Sequence, residues 1–331
     1  MDLQTFLAEW QREDDRMTVC TSGSTGQPKP ILVEKKRMLA SARMTCDYLN
    51  LHEGDTALLC LPLDYIAGKM MVVRSLEREL RLFSTAPTGH PLANDLPCAI
   101  DLCAMIPLQV YNSLENPIES ERLRQIRHLI IGGSSVDERL EKQLRNFPNH
   151  VWSTYGMTET LSHIALRRLN GAQASEWYEA FEGIALSLDN EGCLVIDAPH
   201  LCAESLTTND IAVLDIDHRR FKILGRRDNV IVSGGVKIQI EEVESLLHRH
   251  ADRPFCITKR PDEKFGEAVV LLALSGDIPT FQHLCGQVLP KYWQPRCYCE
   301  VARLPMTPNG KVARREAERL ARESLPCVKP G

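Results

Sequence analysis

Hydrophobic and polar positions along this chain follow helical and strand periods in turn. Leu3, Phe6, Leu7 and Trp10 recur at helical spacing, and short apolar runs bounded by turn residues indicate strands. The pattern predicts helices over residues 2–11, 35–51, 66–80, 108–114, 136–146, 240–248, 280–289 and 312–323. It predicts strands over residues 17–20, 31–33, 56–61, 81–83, 128–131, 151–154, 184–188, 193–196, 211–215, 221–224, 255–259 and 268–274.

The order of these elements predicts an α/β fold. Between residues 56 and 154 strands alternate with helices, which is typical of a domain with a largely parallel sheet. From Ile164 onward, short strands separated by turns predict an added antiparallel β-subdomain. Because charge density rises at residues 225–229, we place a boundary there. The prediction is a large domain over residues 1–226 and a small, mobile α+β domain over residues 227–331.

Composition excludes some classes of function. Lys+Arg number 39 against 44 Asp+Glu, and the net charge of −5 gives no general attraction to nucleic acid. No apolar run reaches the roughly 18 residues of a membrane-spanning helix, and the first fifteen residues lack the segments of a signal peptide. The 12 cysteines are scattered without a C-x-x-C pair, which argues against a zinc site. We expect a cytoplasmic protein that neither inserts into membranes nor binds nucleic acid.

The loop TSGSTGQPK is the strongest chemical feature of the chain. Its candidate binding residues are Thr21, Ser22, Gly23, Ser24, Thr25, Gly26 and Lys29. Glycines let the backbone approach a ligand, consecutive amides can form an anion-binding concavity, and hydroxyls with a lysine add donors. The loop therefore predicts a polyphosphate site, as for a nucleotide, with a Ser/Gly-rich hairpin turn as the alternative. Its spacing differs from that of the common P-loop motif, G-x-x-x-x-G-K-[ST], and predicted strands flank the loop on both sides.

Two polar segments follow predicted strands, where ligands gather in parallel sheets. Residues 132–135 are Gly-Gly-Ser-Ser, and residues 155–160 are Tyr-Gly-Met-Thr-Glu-Thr. Glu159 beside hydroxyls suits Mg²⁺ held together with phosphate oxygens, and Tyr155 suits stacking on a base. The alternative for residues 155–160 is a glycine turn followed by a capped helix.

Two charged positions are ambiguous when each is taken alone. Asp210 follows Thr208-Asn209 at a predicted strand start, where a carboxylate suits either ribose hydroxyls or ordinary turn chemistry. Lys311 follows Pro308-Asn309-Gly310, where a cation suits either a developing phosphate charge or a solvated, Arg-rich surface.

Taken together, these segments resemble the adenylate-forming superfamily of acyl-CoA synthetases, peptide-synthetase adenylation domains and luciferase-like enzymes. The matching segments, in order, are TSGSTGQPKP, LPLDYIAG, IIGGSS, TYGMTET, TNDIAVLD, GRRDNVIVSGGVKI and PNGKVARRE. Within the superfamily the chain is most similar to the o-succinylbenzoate–CoA ligases of menaquinone biosynthesis. Because the phosphate loop begins at Thr21, the resemblance implies a short form of the fold, truncated at the N-terminus.

The resemblance implies a role for each matching residue. For ATP, the phosphate loop from Thr21 to Lys29 would hold the phosphates, Thr158 would contact the α-phosphate, and Glu159 would bind Mg²⁺. For the nucleoside and the acid, Gly133 and Ser134 would line the adenine and acyl pocket, Tyr155 beside Gly156 would pack on adenine, and Asp210 with Arg226 would hold the ribose. Asp228 would be the hinge, and Lys311 would stabilise the adenylation transition state. The small domain would rotate about the hinge between two half-reactions, which form an acyl adenylate and then its coenzyme A thioester.

The resemblance implies that the substrate is a small-molecule carboxylic acid, and it determines the identity of this acid less closely than the superfamily. The family commonly has an aromatic residue and then His where this chain has Asp64-Tyr65, so Tyr65 is a candidate pocket residue. The second carboxylate of o-succinylbenzoate needs a cation or hydroxyl, for which Lys69, Ser162 and His163 are candidates. The alternative for Lys69 is an exposed helix lysine.

Other functions remain open. The chain could act on another aryl or fatty acid, load a carrier protein, or be a non-catalytic nucleotide-binding paralogue. The sequence makes no prediction of oligomeric state.

Overall fold

The computed structural model describes residues 1–20, 30–96, 99–251, 253–306 and 312–323. The helices are α1 (Leu3–Trp10), α2 (Lys35–Tyr48), α3 (Ile66–Glu77), α4 (Pro107–Glu115), α5 (Pro117–Gln125), α6 (Glu138–Leu144), α7 (Ile240–His248), α8 (Ile278–Val288) and α9 (Arg314–Glu323). Among these residues, no helix is long and apolar enough to cross a bilayer.

Helices separate most of the strands before residue 150, and the strands between residues 150 and 239 follow one another with only a 3-10 turn among them. The helices α7, α8 and α9 lie among or after the remaining strands. The strands are β1 (Arg16–Cys20), β2 (Pro30–Glu34), β3 (Thr56–Leu59), β4 (Arg81–Ser84), β5 (Leu102–Met105), β6 (His128–Ile131), β7 (His150–Gly156), β8 (His163–Arg168), β9 (Tyr178–Ala180), β10 (Ala185–Leu188), β11 (Cys193–Asp197), β12 (Leu206–Leu214), β13 (Arg220–Arg226), β14 (Val230–Ser233), β15 (Val236–Gln239), β16 (Phe255–Asp262), β17 (Gly266–Leu274) and β18 (Cys297–Val301).

Within the described residues, the main sheet runs in the order β10-β11-β12-β13-β9-β8-β7-β6-β5-β3-β4. The strands from β7 to β4 are parallel, as the α/β rhythm predicts. Successive residues of β3 pack into different cores, since Ala57 and Leu59 join one hydrophobic cluster and Leu58 joins the other. Both faces of this parallel half are therefore covered, which is the usual condition for parallel strands.

The predicted antiparallel strands are confirmed, and they extend the parallel sheet. β7 pairs with β8 antiparallel, and the ladder then continues without a break to β10. After a 3-10 turn at Arg227–Asn229, a second sheet has the order β15-β14-β17-β16, with β18 parallel to β17. The change of sheet occurs at the predicted boundary between residues 226 and 227, although the division into two domains stays a prediction.

Seven of the described helices and strands have no counterpart in the sequence prediction, namely the strands β5, β8, β9, β14, β15 and β18 and the helix α5. β5 and β18 are short, largely buried strands that pair with parallel neighbours, and a run of four or five residues gives little periodicity to detect. The helix α5 buries only Glu119 and Leu123, so it shows no apolar stripe. Its N-cap Asn116, which accepts hydrogen bonds from the backbone of Ile118 and Glu119, is its clearest local signal.

Candidate active site

The loop after β6 and the end of β7 lie side by side at the carboxyl edge of the parallel strands. The register pairs Ile131, the last residue of β6, with Ser153, so the loop after β6 begins beside Thr154, and β7 ends nearby at Gly156. A Cβ at Gly132 would lie 2.4 Å from Thr154 Oγ1, which leaves no room for a larger residue. The predicted position of these segments at the carboxyl edge of the parallel strands is therefore confirmed, and ligand binding there stays a prediction.

Gly133 and Ser134 form the accessible part of this loop. Gly133 has a φ of +86°, a left-handed conformation that glycine adopts without strain. It is exposed and Ser134 is half-buried, so both can meet a ligand at this edge.

The segment that carries Thr158 and Glu159 is a tight turn between two strands. β7 continues through Gly156 and the chain returns as β8, so the alternative of a capped helix is wrong. Thr160 Oγ1 accepts from the backbone N–H of Met157, and Leu161 has a φ of +65°. A leucine in this conformation stores strain, which proteins tend to keep at functional turns.

The two polar side chains of this turn face different surroundings. Thr158 is buried, whereas Glu159 is exposed. Among the described residues, no three His, Cys, Asp or Glu side chains gather as a metal site. A single carboxylate suits Mg²⁺ that arrives with ATP, because this ion often takes one or two protein carboxylates and completes its shell with phosphate oxygens and water.

Asp210 lies inside a strand and not at a strand start, because β12 begins at Leu206. Its Oδ1 accepts from Arg226 Nη1 at 2.9 Å, and its Oδ2 accepts from the Tyr155 hydroxyl at 2.7 Å. Burial and the nearby Asp210 carboxylate raise the pKa of Tyr155 well above its usual value. The structure thus brings together three residues that the resemblance places around a nucleoside.

Asp228 lies next to this group, in the 3-10 turn between the sheets. Its Oδ2 accepts from Arg226 Nη2 and from Asn209 Nδ2, each at 3.2 Å. Arg226 therefore joins the carboxylate predicted to bind ribose to the carboxylate predicted to be the hinge.

Lys69 is buried and not an exposed helix lysine. It is 3% exposed, and its Nζ lies 3.5 Å from Met1 Sδ and 5.4 Å from the centroid of the Phe6 ring. Burial lowers its pKa. Tyr65 is the half-buried N-cap residue of the same helix α3.

Arg74, which the sequence analysis missed, joins Ser162 and His163. Its side chain is buried, and Nη2 donates to Ser162 Oγ and lies 3.5 Å from His163 Nδ1. Residues 69 and 74 are five positions apart on α3, which turns them about 140° from one another. The structure therefore separates Lys69 from Ser162 and His163.

The Arg74 cluster, which we define as Arg74, Ser162, His163 and Thr45, carries positive charge. Burial lowers the pKa of Arg74 to about 10 and holds the pKa of His163 well below its usual value. Neutral His163 accepts at Nδ1, so its Nε2–H can donate to Thr45 Oγ1 at 3.0 Å. Thr45 in turn donates to the Ser41 carbonyl.

No described carboxylate balances the charge of this cluster. Arg74 has no salt bridge within the described chain, and its Nε has no hydrogen-bond partner there. A buried charge without a partner is costly. The register pairs His163 with Gly156, so the cluster adjoins the strand end that carries Tyr155. An arginine directly after the apolar residues 70–73 of α3 is the sequence signal that could have indicated this cluster.

The remaining predicted site residues lie outside the described residues. These are Thr21, Ser22, Gly23, Ser24, Thr25, Gly26, Lys29 and Lys311. The strands that flank the phosphate loop are confirmed, because β1 and β2 pair antiparallel from Arg16–Glu34 to Cys20–Pro30.

Polar loops at the carboxyl edge of a parallel sheet, beside an acid–tyrosine–arginine group, define an α/β protein with an enzyme-like ligand site. Comparison with known proteins makes the class specific. The family model for AMP-binding enzymes matches residues 4–200. The chain therefore belongs to the AMP-binding family of adenylate-forming acid–CoA ligases.

Individual relatives agree with this family. An acyl-CoA synthetase (AMP-forming)/AMP-acid ligase II-like protein from Dyadobacter fermentans is 34% identical, with a TM-score of 0.65 over 94% of this chain and 91% of that one. A 2-succinylbenzoate–CoA ligase of Bacillus cereus is 24% identical over 347 residues, 95% of this chain and 72% of the relative.

The fold is also that of a ligase solved with its nucleotide. The O-succinylbenzoate coenzyme A synthetase of Bacillus subtilis, in complex with ATP and magnesium ion, is 21% identical, with a TM-score of 0.74. The match covers 90% of this chain and 69% of that one. At this identity the likeness concerns the fold alone.

Proposed function

We propose that this chain is an ATP-dependent 2-succinylbenzoate–CoA ligase of menaquinone biosynthesis. In the first step a carboxylate oxygen of the acid attacks the α-phosphorus of MgATP, the bond to the bridging oxygen breaks, and pyrophosphate leaves. In the second step the sulfur of coenzyme A attacks the acyl carbonyl, the bond to AMP breaks, and the thiol proton is released. The products are the thioester and AMP.

The observation that carries this choice of acid is the unpaired charge of Arg74. 2-Succinylbenzoate has two carboxylates, and only one is activated. The other would receive charge-assisted hydrogen bonds from Arg74, whose Nε is free of described partners. Ser162 and His163 would complete its surroundings. Two relatives identified by sequence comparison are named 2-succinylbenzoate–CoA ligase, which supports the same acid.

The other predicted residues have roles in positioning ATP. Residues 21–29 would hold the phosphates, Thr158 would contact the α-phosphate, and Glu159 would bind the magnesium of MgATP. Gly133 and Ser134 would line the adenine and acyl pocket. Tyr155 would pack on adenine, and Asp210 with Arg226 would hold the ribose. Positioning and charge stabilisation account for most of the catalysis in such phosphorus transfers.

Lys311 would supply the cation that stabilises the first transition state. It lies in the predicted small domain, residues 227–331, which would turn about Asp228 to exchange the adenylation site for the thioester-forming site. A hinge needs only a few residues that absorb the change in backbone angles, and Asp228 lies in the short turn between the two sheets. Its carboxylate accepts two side-chain hydrogen bonds of 3.2 Å.

The test is AMP release with ATP, coenzyme A and each of three acids: 2-succinylbenzoate, benzoate and a fatty acid. We expect activity with 2-succinylbenzoate, and we expect Arg74→Met to reduce its kcat/KM by about a hundredfold, as the loss of a charge-assisted contact implies. The control is Arg43→Met, an exposed arginine of α2 that pairs with Glu77. Preference for benzoate or the fatty acid would contradict the assignment, and so would full activity of Arg74→Met.

A further inference from the structure

The Tyr155 hydroxyl reaches Asp210 across a strongly curved sheet. Tyr155 is on β7 and Asp210 is on β12, four positions apart in the strand order. At about 4.8 Å per strand, a flat sheet would separate these strands by about 19 Å. The two oxygens nevertheless lie 2.7 Å apart. The contact therefore requires the sheet to curve so that β7 and β12 approach one another.

Aromatic packing holds the Tyr155 ring in place. Its centroid lies 4.9 Å from that of Phe221, edge to face, and 5.8 Å from that of Tyr178. Phe221 is fully buried. Because such pairs have preferred geometries, the ring has little freedom and its hydroxyl has a set direction. Burial and Asp210 raise the pKa of this phenol, so it remains a donor at neutral pH.

Asp210 keeps acceptor capacity on both oxygens. Tyr155 donates to Oδ2 and Arg226 donates to Oδ1. A carboxylate offers about four acceptor positions. With one position of each oxygen taken among the described residues, each oxygen can still accept one hydrogen bond. Two neighbouring hydroxyls of a ribose match that arrangement.

We propose that the Tyr155 hydroxyl is a positioning group that orients Asp210 toward both ribose hydroxyls and so makes the site select ribonucleotides over deoxyribonucleotides. This inference rests on the proposed function only in taking the ligand to be a nucleotide. It is separate from the packing of the ring on adenine, because it concerns the phenolic oxygen alone.

The experiment is equilibrium binding of the magnesium complexes of ATP, 2′-deoxy-ATP and 3′-deoxy-ATP to the intact chain, without acid or coenzyme A. We expect the unaltered protein to bind ATP at least about tenfold more tightly than either analogue, as a lost hydrogen bond to a charged group implies. In Tyr155→Phe, which keeps the ring, the ratio should fall below about threefold. The matched control is Tyr178→Phe, because that hydroxyl contacts Ser153 and not Asp210.

Several results would overturn the proposal. These are equal binding of ATP and its deoxy analogues by the unaltered protein, an unchanged ratio in Tyr155→Phe, or an equal loss in Tyr178→Phe. Asp210→Asn tests the arrangement from the other end and serves if Tyr155→Phe does not fold. It should lose the discrimination too, and Tyr155→Phe should add nothing in that background. Because no acid is present, failure of 2-succinylbenzoate as substrate leaves these results unaffected.

Discussion

Replacing Arg74 by methionine tests whether its charge is reserved for a ligand. Burial lowers the pKa of Arg74 from 12.5 to about 10, a difference that corresponds to about 3 kcal/mol of cost to the charged form. Methionine removes that cost but loses the hydrogen bond to Ser162 and leaves some unfilled volume, each about 1 kcal/mol. We therefore expect the variant to be about 1 kcal/mol more stable than the unaltered protein.

A gain in the free energy of unfolding on replacing Arg74 is the opposite of what an ordinary buried ion pair would give. Removing one partner of such a pair lowers stability by about 3–5 kcal/mol, because the other charge stays buried. The folded pKa of Arg74, about 10, lies below its unfolded value, so the cost is present in full below pH 10 and declines only above it. Measurements near pH 7.5 are therefore insensitive to small errors in pH.

The assay is urea unfolding of both proteins, with and without 2-succinylbenzoate. The acid should stabilise the unaltered protein through binding to its folded state and should have little effect on Arg74→Met. Arg43→Met, on the exposed surface, should respond to the acid like the unaltered protein. A loss of 3 kcal/mol or more in ligand-free Arg74→Met would refute the reasoning, because Arg74 would then have an anionic partner in the free protein.

Three further predictions follow from separate parts of the chain. Lys311→Ala should abolish adenylate formation, measured by pyrophosphate release, and largely spare thioester formation from supplied acyl adenylate; equal loss of both would contradict the two-conformation account. Gly156→Ala should lower the free energy of unfolding by about 2 kcal/mol or more, since its Cβ would lie 2.3 Å from the Ser162 carbonyl oxygen; unchanged urea unfolding would contradict this. Burial lowers the pKa of His128 from 6.5 to about 4, so the folded state binds fewer protons than the unfolded state, and stability should decline by up to about 3 kcal/mol between pH 6.5 and pH 4. His128→Asn should remove that part of the pH dependence, unlike the exposed His200→Asn, and equal slopes in all three proteins would count against it.

The sequence by itself determined the order and type of most elements. Local periodicity and turn residues suffice for α2, whose stripe of Met38, Ala42 and Thr45 is buried. The same local information located the polar segments, because glycine-rich turns after strands mark the carboxyl edge of a sheet. It was weakest where elements are short or lack an apolar stripe, as in β5 and α5.

Only the tertiary structure decided which polar side chains meet. Lys69 and Arg74 occupy one helix, yet the turn of that helix directs them to different partners. Tyr155 and Asp210 are 55 residues apart, and a hydrogen bond between them depends on the curvature of the sheet. Such pairings depend on geometry accumulated over many strands, which local periodicity does not encode. The sequence therefore located the polar segments of the proposed ligand site, and the tertiary structure decided which charges and hydroxyls lie together there.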